Sequence, residues 1–254
     1  MNHRDRLNFV LVHGAWHDAT LWKRVAPRLR AGGHTVHTPT AAGHGPNADP
    51  DTTLQQAYMS IVDYVLRERL TDVVLLGWSF GGVLVQQATA HLAQHDPDIL
   101  RRVVFHNAFV LADGECVYDT FPEAAVEYFK SITTAQGTIM QPFERVRNRY
   151  CAPADHDEAR AIYDMMNPQL ARMFDTPTDT RVFDQIVAAA PQGFFSYVNA
   201  VEDIAFPHGP YAWYPRFADR LGSPRVRFLC GHSHEAPLTG PSETANAYIV
   251  AGRD

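Results

Sequence analysis

Lysine is nearly absent from this chain, with two in 254 residues, and cysteine is scarce, with three. Cys116, Cys151 and Cys230 are odd in number and far apart, which excludes a disulfide framework and a zinc module built on cysteine pairs. Long apolar runs are missing too. The longest, within 8–13 and 73–77, fall far short of the roughly 18–20 residues a membrane span needs. No excess of positive charge exists. The formal net charge is −6, which argues against a nucleic-acid footprint. The N-terminus passes from a charged tip directly into a strand-like segment, with no apolar stretch followed by a small-residue cleavage site. The expectation is a soluble, cytoplasmic protein with no membrane partner. No repeat, low-complexity tract or linker breaks the chain. What is present is ordinary globular material, 46% hydrophobic and 20% charged, enough for one domain of generous size or a core carrying an insertion.

Short β-branched runs alternate with longer segments of helical period, the pattern of βαβ units and a parallel sheet. Strands are expected over Phe9–His13, Thr35–Thr38, Asp72–Trp78, Arg102–His106, Phe194–Ala200 and Arg225–Cys230. Most are apolar on both faces, as buried parallel strands are. Helices are expected over Trp22–Ala31, Thr53–Arg69, Ser79–Gln94, Pro210–Leu221 and Pro241–Ala251. The alternation stops between about Val110 and Gln192. That stretch is rich in Phe, Tyr, Met and Arg and is punctuated by Pro122, Pro142, Pro153, Pro168 and Pro177. It reads as a helical cap over 110–192, without a strand of its own, with helices near Pro122–Lys130, His156–Asn167 and Thr180–Ala189. The core is then 1–109 and 193–254.

Three places carry chemistry. The strand ending at Leu76 runs into Gly77-Trp78-Ser79-Phe80-Gly81-Gly82 and then a helix. This is G-x-S-x-G in the strand–turn–helix context its mechanism requires, which projects the Ser79 hydroxyl from the sheet at a helix N-terminus. Near the N-terminus, a strand ends in His13-Gly14-Ala15-Trp16-His17. Its loop can bring the Ala15 amide, with that of Phe80, against a tetrahedral oxyanion. His13 reads as a structural histidine shaping this loop. A serine hydroxyl needs a general base oriented by a carboxylate. The last two strands are followed by Val201-Glu202-Asp203 and by His232-Ser233-His234-Glu235, so two histidines compete for the base. Glu202, Asp203 and, after an earlier strand, Asp113 compete for the acid. Metal binding by the H-x-H pair has no matching donor set elsewhere, and no cofactor is implied.

Together these residues resemble the α/β-hydrolase superfamily and, within it, the plant methylesterase and hydroxynitrile lyase group with its bacterial esterase-like relatives. The similarity is carried by FVLVHGAWHDATLWKRVAPRLRAGGHTVHTPTAAGHG, LLGWSFGG, FHNAFVLADGE, AVEDIAFP and GHSHEAPLTGP. It covers about the first 115 and last 60 residues, and the cap is only weakly similar. The resemblance implies an α/β-hydrolase fold, a mainly parallel six-stranded doubly wound sheet with an inserted helical cap. It implies Ser79 as nucleophile, His234 as base and Asp203 as acid, with the Ala15 and Phe80 amides as oxyanion hole. The register of His234 before Leu238 and Pro241 matches the family, and that of His232 does not. The chain departs from the lyases of the group at two positions: Gly14 stands where they carry Thr, and Glu235 where they carry Lys. It also carries Asn107 where many bacterial relatives have Asp.

The expected function is a cofactor-independent serine hydrolase cleaving a small carboxylic ester or lactone. Trp16, Trp78 and Phe129 are expected to bind substrate. The cap aromatics Phe121, Tyr128, Phe129, Tyr163, Phe174 and Phe183 suggest an apolar or aromatic one. Two alternatives stand beside it. One is a non-hydrolytic enzyme on the same fold, a lyase, cofactor-free dioxygenase or cyclase. The other is a small-molecule receptor on a hydrolase scaffold. A homodimer is compatible with all three.

Overall fold

A computed structural model of the chain describes residues 6–152 and 154–253. Pro153 and the charged tip, residues 1–5, lie outside the described residues. The first half alternates strand and helix: β1 (Asn8–Val12), α1 (Ala26–Ala31), β2 (Thr35–His37), α2 (Leu54–Arg67), β3 (Val73–Trp78), α3 (Gly81–His95) and β4 (Leu100–His106). After a long intervening segment come β7 (Phe195–Ala200), β8 (Arg225–Leu229), α9 (Ala236–Thr239) and α10 (Pro241–Gly252). The six strands form one sheet in the order β2-β1-β3-β4-β7-β8, and every neighbouring pair is parallel. Helices α1 and α10 pack together on one face, and α2, α3 and α8 (Arg181–Ala189) on the other. The central strand β3 is therefore buried along its whole length, which is why it reads as an unbroken apolar run.

Local sequence explains several boundaries. Thr53 caps α2 reciprocally: its Oγ1 accepts from the Gln56 amide, and the Gln56 side chain accepts from the Thr53 amide. The expected helix Trp22–Ala31 divides into a 3₁₀ turn over Ala19–Lys23 and α1, which starts one residue before Pro27. Proline suits a first helical turn and disrupts an interior. The same rule corrects the expected helix Pro210–Leu221. With Pro215 inside it, the segment forms turns, and only Ala218–Leu221 closes a short 3₁₀ helix.

The segment between β4 and β7 is mostly helical: α4 (Glu123–Ser131), α5 (Phe143–Val146), a π-helical turn over Arg147–Cys151, α6 (His156–Tyr163), α7 (Arg172–Asp175) and α8. It does contain strands, contrary to expectation. β5 (Thr138–Ile139) and β6 (Gln169–Leu170) pair antiparallel. At two residues each, they are too short to show the period of two that marks a strand in sequence. Its first residues belong to the core packing: Leu111 exchanges two hydrogen bonds with the buried Gln86 side chain of α3.

Candidate active site

The strand order reverses between β1 and β3, since the chain leaves β1 toward β2 on one side and continues from β3 toward β8 on the other. In an open parallel sheet, the loops at the carboxyl ends beside such a switch diverge and leave a crevice. Ser79 follows β3 and Ala15 follows β1, so the two adjoin there. Ser79 has a left-handed backbone, φ 55°, held by its amide donating to the His106 carbonyl and its carbonyl accepting from Gly82 and Phe109. The turn is tight enough to exclude side chains at its base. A Cβ on Gly81 would lie 2.5 Å from the Val12 carbonyl oxygen.

Three elements bring three side chains together. The His234 ring Nε2 stands 2.9 Å from Ser79 Oγ, and its Nδ1 stands 2.6 Å from Asp203 Oδ2. Beside a carboxylate, Nδ1 carries the proton and donates it, leaving Nε2 to accept from the serine hydroxyl. All three residues are buried. Asp203 Oδ1 accepts from the Ala205 amide, and Oδ2 also accepts from Asn107 Nδ2 at 2.7 Å. Asn107 is itself held, its Nδ2 donating to the Ala200 carbonyl and its Oδ1 accepting from the Ala200 amide. An amide at this position orients the carboxylate without adding a second negative charge. The sequence marked Asn107 only as a departure from relatives; its contact with Asp203 depends on β4 and β7 being neighbours.

The Ala15 and Phe80 amides donate no hydrogen bond among the described residues, so both remain available to a developing oxyanion. Gly14 permits the approach, since a Cβ there would come within 2.8 Å of Ser79 Cβ. His13 does not reach the serine. Its Nδ1 donates to the Gly14 carbonyl and its Nε2 accepts from the Ala41 amide. Burial, with His44 nearby, pushes its pKa well below the ordinary value, so it is a neutral brace of the loop.

The competitors lie elsewhere. Glu202 is exposed, its backbone amide donating to the His232 carbonyl. Asp113 is also exposed and accepts from the Thr180 amide at the start of α8. The His232 ring packs on Gly240, where a Cβ would come within 2.2 Å of it. Among the described residues, no group of three His, Cys, Asp or Glu side chains is placed to hold a metal ion.

The imidazole of His234 sits in an aromatic frame. Trp213 stacks on it at 5.4 Å and 13°, Trp78 leans on it at 4.7 Å, and Tyr150 meets it edge-on at 5.4 Å. Trp78 Nε1 also donates to the His234 carbonyl. From the intervening segment, the Tyr150 carbonyl accepts from Ser233 Oγ and from the Glu235 amide, tying the histidine loop to that segment. Burial pushes the Tyr150 phenol up to about 12. Above Ser79 and His234 lies a narrow cavity, walled by Trp16, Phe109, Phe121, Tyr150, Phe174, Phe206 and Trp213 with Ala15 and Ala205. No lysine or arginine lines it.

The expected substrate contacts divide. Trp16 is in the wall, its Nε1 anchored to the Ile139 carbonyl. Trp78 lies behind the histidine, outside the wall, and Phe129 lines a neighbouring cavity. Phe183 packs on Phe105 and Phe195 of the sheet, away from the cavity. Trp213, Tyr150 and Phe109 were not legible from the sequence, because an aromatic residue in a segment without periodicity carries no sign of which way it turns. Glu235 points to His17 (3.3 Å), with both side chains buried, and is absent from the wall.

Comparison with known proteins gives the family. A model of the alpha/beta hydrolase family matches residues 9–247. A carbendazim hydrolyzing esterase of Nocardioides sp. (strain SG-4G) is 35% identical, covering 96% of this chain and 99% of that protein. An alpha-hydroxynitrile lyase of Arabidopsis thaliana is 34% identical, covering 97% of each. Among solved structures, an extracellular alpha/beta-hydrolase from a Paenibacillus species superposes with a TM-score of 0.89. It is 36% identical, covers 98% of this chain and 100% of its own, and is described as sharing structural and functional homology with tobacco salicylic acid binding protein 2. No helix among the described residues is long and apolar enough to cross a membrane. The chain belongs to the α/β hydrolase family and is an enzyme of its esterase type.

Proposed function

We propose that this α/β hydrolase is a cofactor-independent serine hydrolase that cleaves a small carboxylic ester or lactone, with Ser79, His234 and Asp203 as its triad. The observation that carries the reading is the unbroken relay from Ser79 Oγ to His234 Nε2 (2.9 Å) and from Nδ1 to Asp203 Oδ2 (2.6 Å). Ser79 Oγ attacks the carbonyl carbon as His234 takes its proton. The charged imidazolium is stabilised by Asp203, and the Ala15 and Phe80 amides receive the oxyanion. His234 then hands the proton to the leaving alkoxide. A water, deprotonated by the same nitrogen, releases the acid. The 110–192 segment acts as a cap on a core of 1–109 and 193–254, and its Phe121, Tyr150 and Phe174 exclude water from the reacting carbonyl.

The lyase reading is weaker for a specific reason. Stabilising cyanide as it leaves needs a cation beside the histidine, and the cavity wall has none. The test is a panel of 4-nitrophenyl esters, methyl esters and lactones, run with and without a serine-directed phosphonate. Turnover that is abolished as the phosphonate adds to Ser79, read by intact mass and peptide mapping, is the expected result. Cyanide release from mandelonitrile without ester cleavage would replace this reading with the lyase.

A further inference from the structure

Beside the catalytic cavity lies a second, wider one, open to solvent. The two share Phe121, Tyr150, Ala205 and Phe206 as a common wall. The second cavity is otherwise apolar except for two charged residues, Arg145 and Arg149, both half-buried. No acidic side chain lines it. Neither guanidinium has a carboxylate partner among the described residues, whereas the nearby Arg147 and Arg160 pair with Glu144 and Asp164. Arg145 is held in place by its Nε donating to Gln141 Oε1 and by the Tyr128 ring at 4.1 Å. Arg149 makes one long contact, 3.4 Å, to the Ile204 carbonyl. Both stand close enough to the Tyr150 phenol to oppose the upward push of burial on its pKa. In a chain of net charge −6, two guanidiniums without acids in an apolar recess form a local site for an anion, since arginine presents a planar fork that matches a carboxylate.

We propose that this cavity binds an ionised carboxylate carried by the substrate itself, so that the preferred substrate is a carboxylic ester bearing a second, free acid group. The inference rests on the serine hydrolase reading above. Tyr150 links the two halves: its ring contacts the His234 imidazole, and its hydroxyl is held by Gln141, which also anchors Arg145. An ester in the first cavity thus presents its far end to the arginines past the edge of Tyr150.

The test compares charged and neutral substrates of matched length: the mono-4-nitrophenyl ester of adipic acid against 4-nitrophenyl hexanoate, and 4-carboxyphenyl acetate against phenyl acetate. At least one anionic ester is expected to show the higher kcat/KM, through KM, with the advantage shrinking as salt is raised. Arg149→Gln is expected to cut that advantage by about tenfold, the loss of one charge-assisted hydrogen bond. Arg149→Lys is expected to restore part of it. Equal handling of both pairs by the wild type, or an anionic advantage that survives Arg149→Gln, would overturn the proposal. If no ester is cleaved, the hydrolase reading fails instead. Calorimetry on the wild-type protein then decides the anion site alone. Monomethyl adipate binding where dimethyl adipate does not supports it, and equal or absent binding of the two ends it.

Discussion

The corner where β1, β3, β4, β7 and β8 end and the 110–192 segment above it are built on different principles. At the corner, positions are set by close backbone and hydrogen-bonded contacts: the Ser79 turn lies under the Val12 carbonyl with no room for a Cβ on Gly81, and Asp203 is fixed by the Asn107 side chain, just past β4, and by the Ala205 amide in its own loop. In the segment, positions are set by aromatic side chains packing on one another, as Phe174 does with Phe80, Trp16 and Tyr118. The first kind of contact tolerates no change of atom. The second tolerates exchange of volume for volume. On the function proposed above, chemistry resides in the corner and selectivity in the segment.

The sharpest way to break this division is to change the corner and look for unfolding. Ser79→Ala and His234→Ala should each lower kcat by about 10⁵–10⁶, the scale for a triad member, while urea unfolding midpoints move little. A variant that keeps near wild-type turnover would remove the serine mechanism. Asp203→Asn should cost about a thousandfold or more by favouring the wrong imidazole tautomer. Asn107→Asp sharpens the same point. It would place a second carboxyl 2.7 Å from the first, and two like charges at that distance cannot both ionise freely. The acid limb of the kcat profile should move to higher pH. An unmoved limb would show that Asn107 does not act on Asp203.

Stability against pH tests the interior of the corner. His106 is buried on β4 with its Nδ1 bonded to the Tyr248 hydroxyl, and burial, aided by His234 and His232, lowers its pKa to about 3. The unfolded chain takes up this proton near the ordinary value of about 6.5 and the folded chain does not. Its contribution is complete above that pH and is lost as pH falls toward 3, at up to about 1.4 kcal/mol per pH unit. His13 is shifted in the same direction. Unfolding free energies between pH 7 and 5 should show this slope, and His106→Asn should flatten it by about one proton.

In the segment, Phe174→Ala should cost about 3–5 kcal/mol of stability if its site cannot collapse. It should alter the ranking of esters more than kcat on the best one. A thousandfold fall in kcat on every ester would erase the proposed division of labour. The smallest effect is expected at His232→Ala, at most about tenfold in kcat/KM, since the ring only packs on Gly240.

Much of the corner was legible in the linear chain. The apolar runs, the G-x-S-x-G turn and the strand-then-loop placement of His234 and Asp203 are local patterns, and local patterns survive being read one residue at a time. The resemblance added the choice of His234 over His232 and of Asp203 over Glu202 and Asp113. Between 110 and 192 the three longer helices were legible, near Pro122–Lys130, His156–Asn167 and Thr180–Ala189, and appear as α4, α6 and α8, but the rest of the segment was not. The β5–β6 ladder is shorter than any periodicity. Outside that segment, Pro215 was passed over inside a supposed helix.

By itself the sequence determined the parallel sheet, the sharp nucleophile turn and the kinds of side chain available at the sheet's carboxyl edge. These follow from backbone sterics and from the burial of β-branched runs, both short-range in the chain. Only the tertiary structure decided that Asn107 touches Asp203 across 96 positions, that Trp213 and Tyr150 frame the imidazole, and that Arg145 and Arg149 stand beside the Ser79 cavity with no acid partner among the described residues. Those contacts join residues far apart in sequence. Which side chains meet is set by strand order and by how α4 through α8 pack, and no local propensity encodes either.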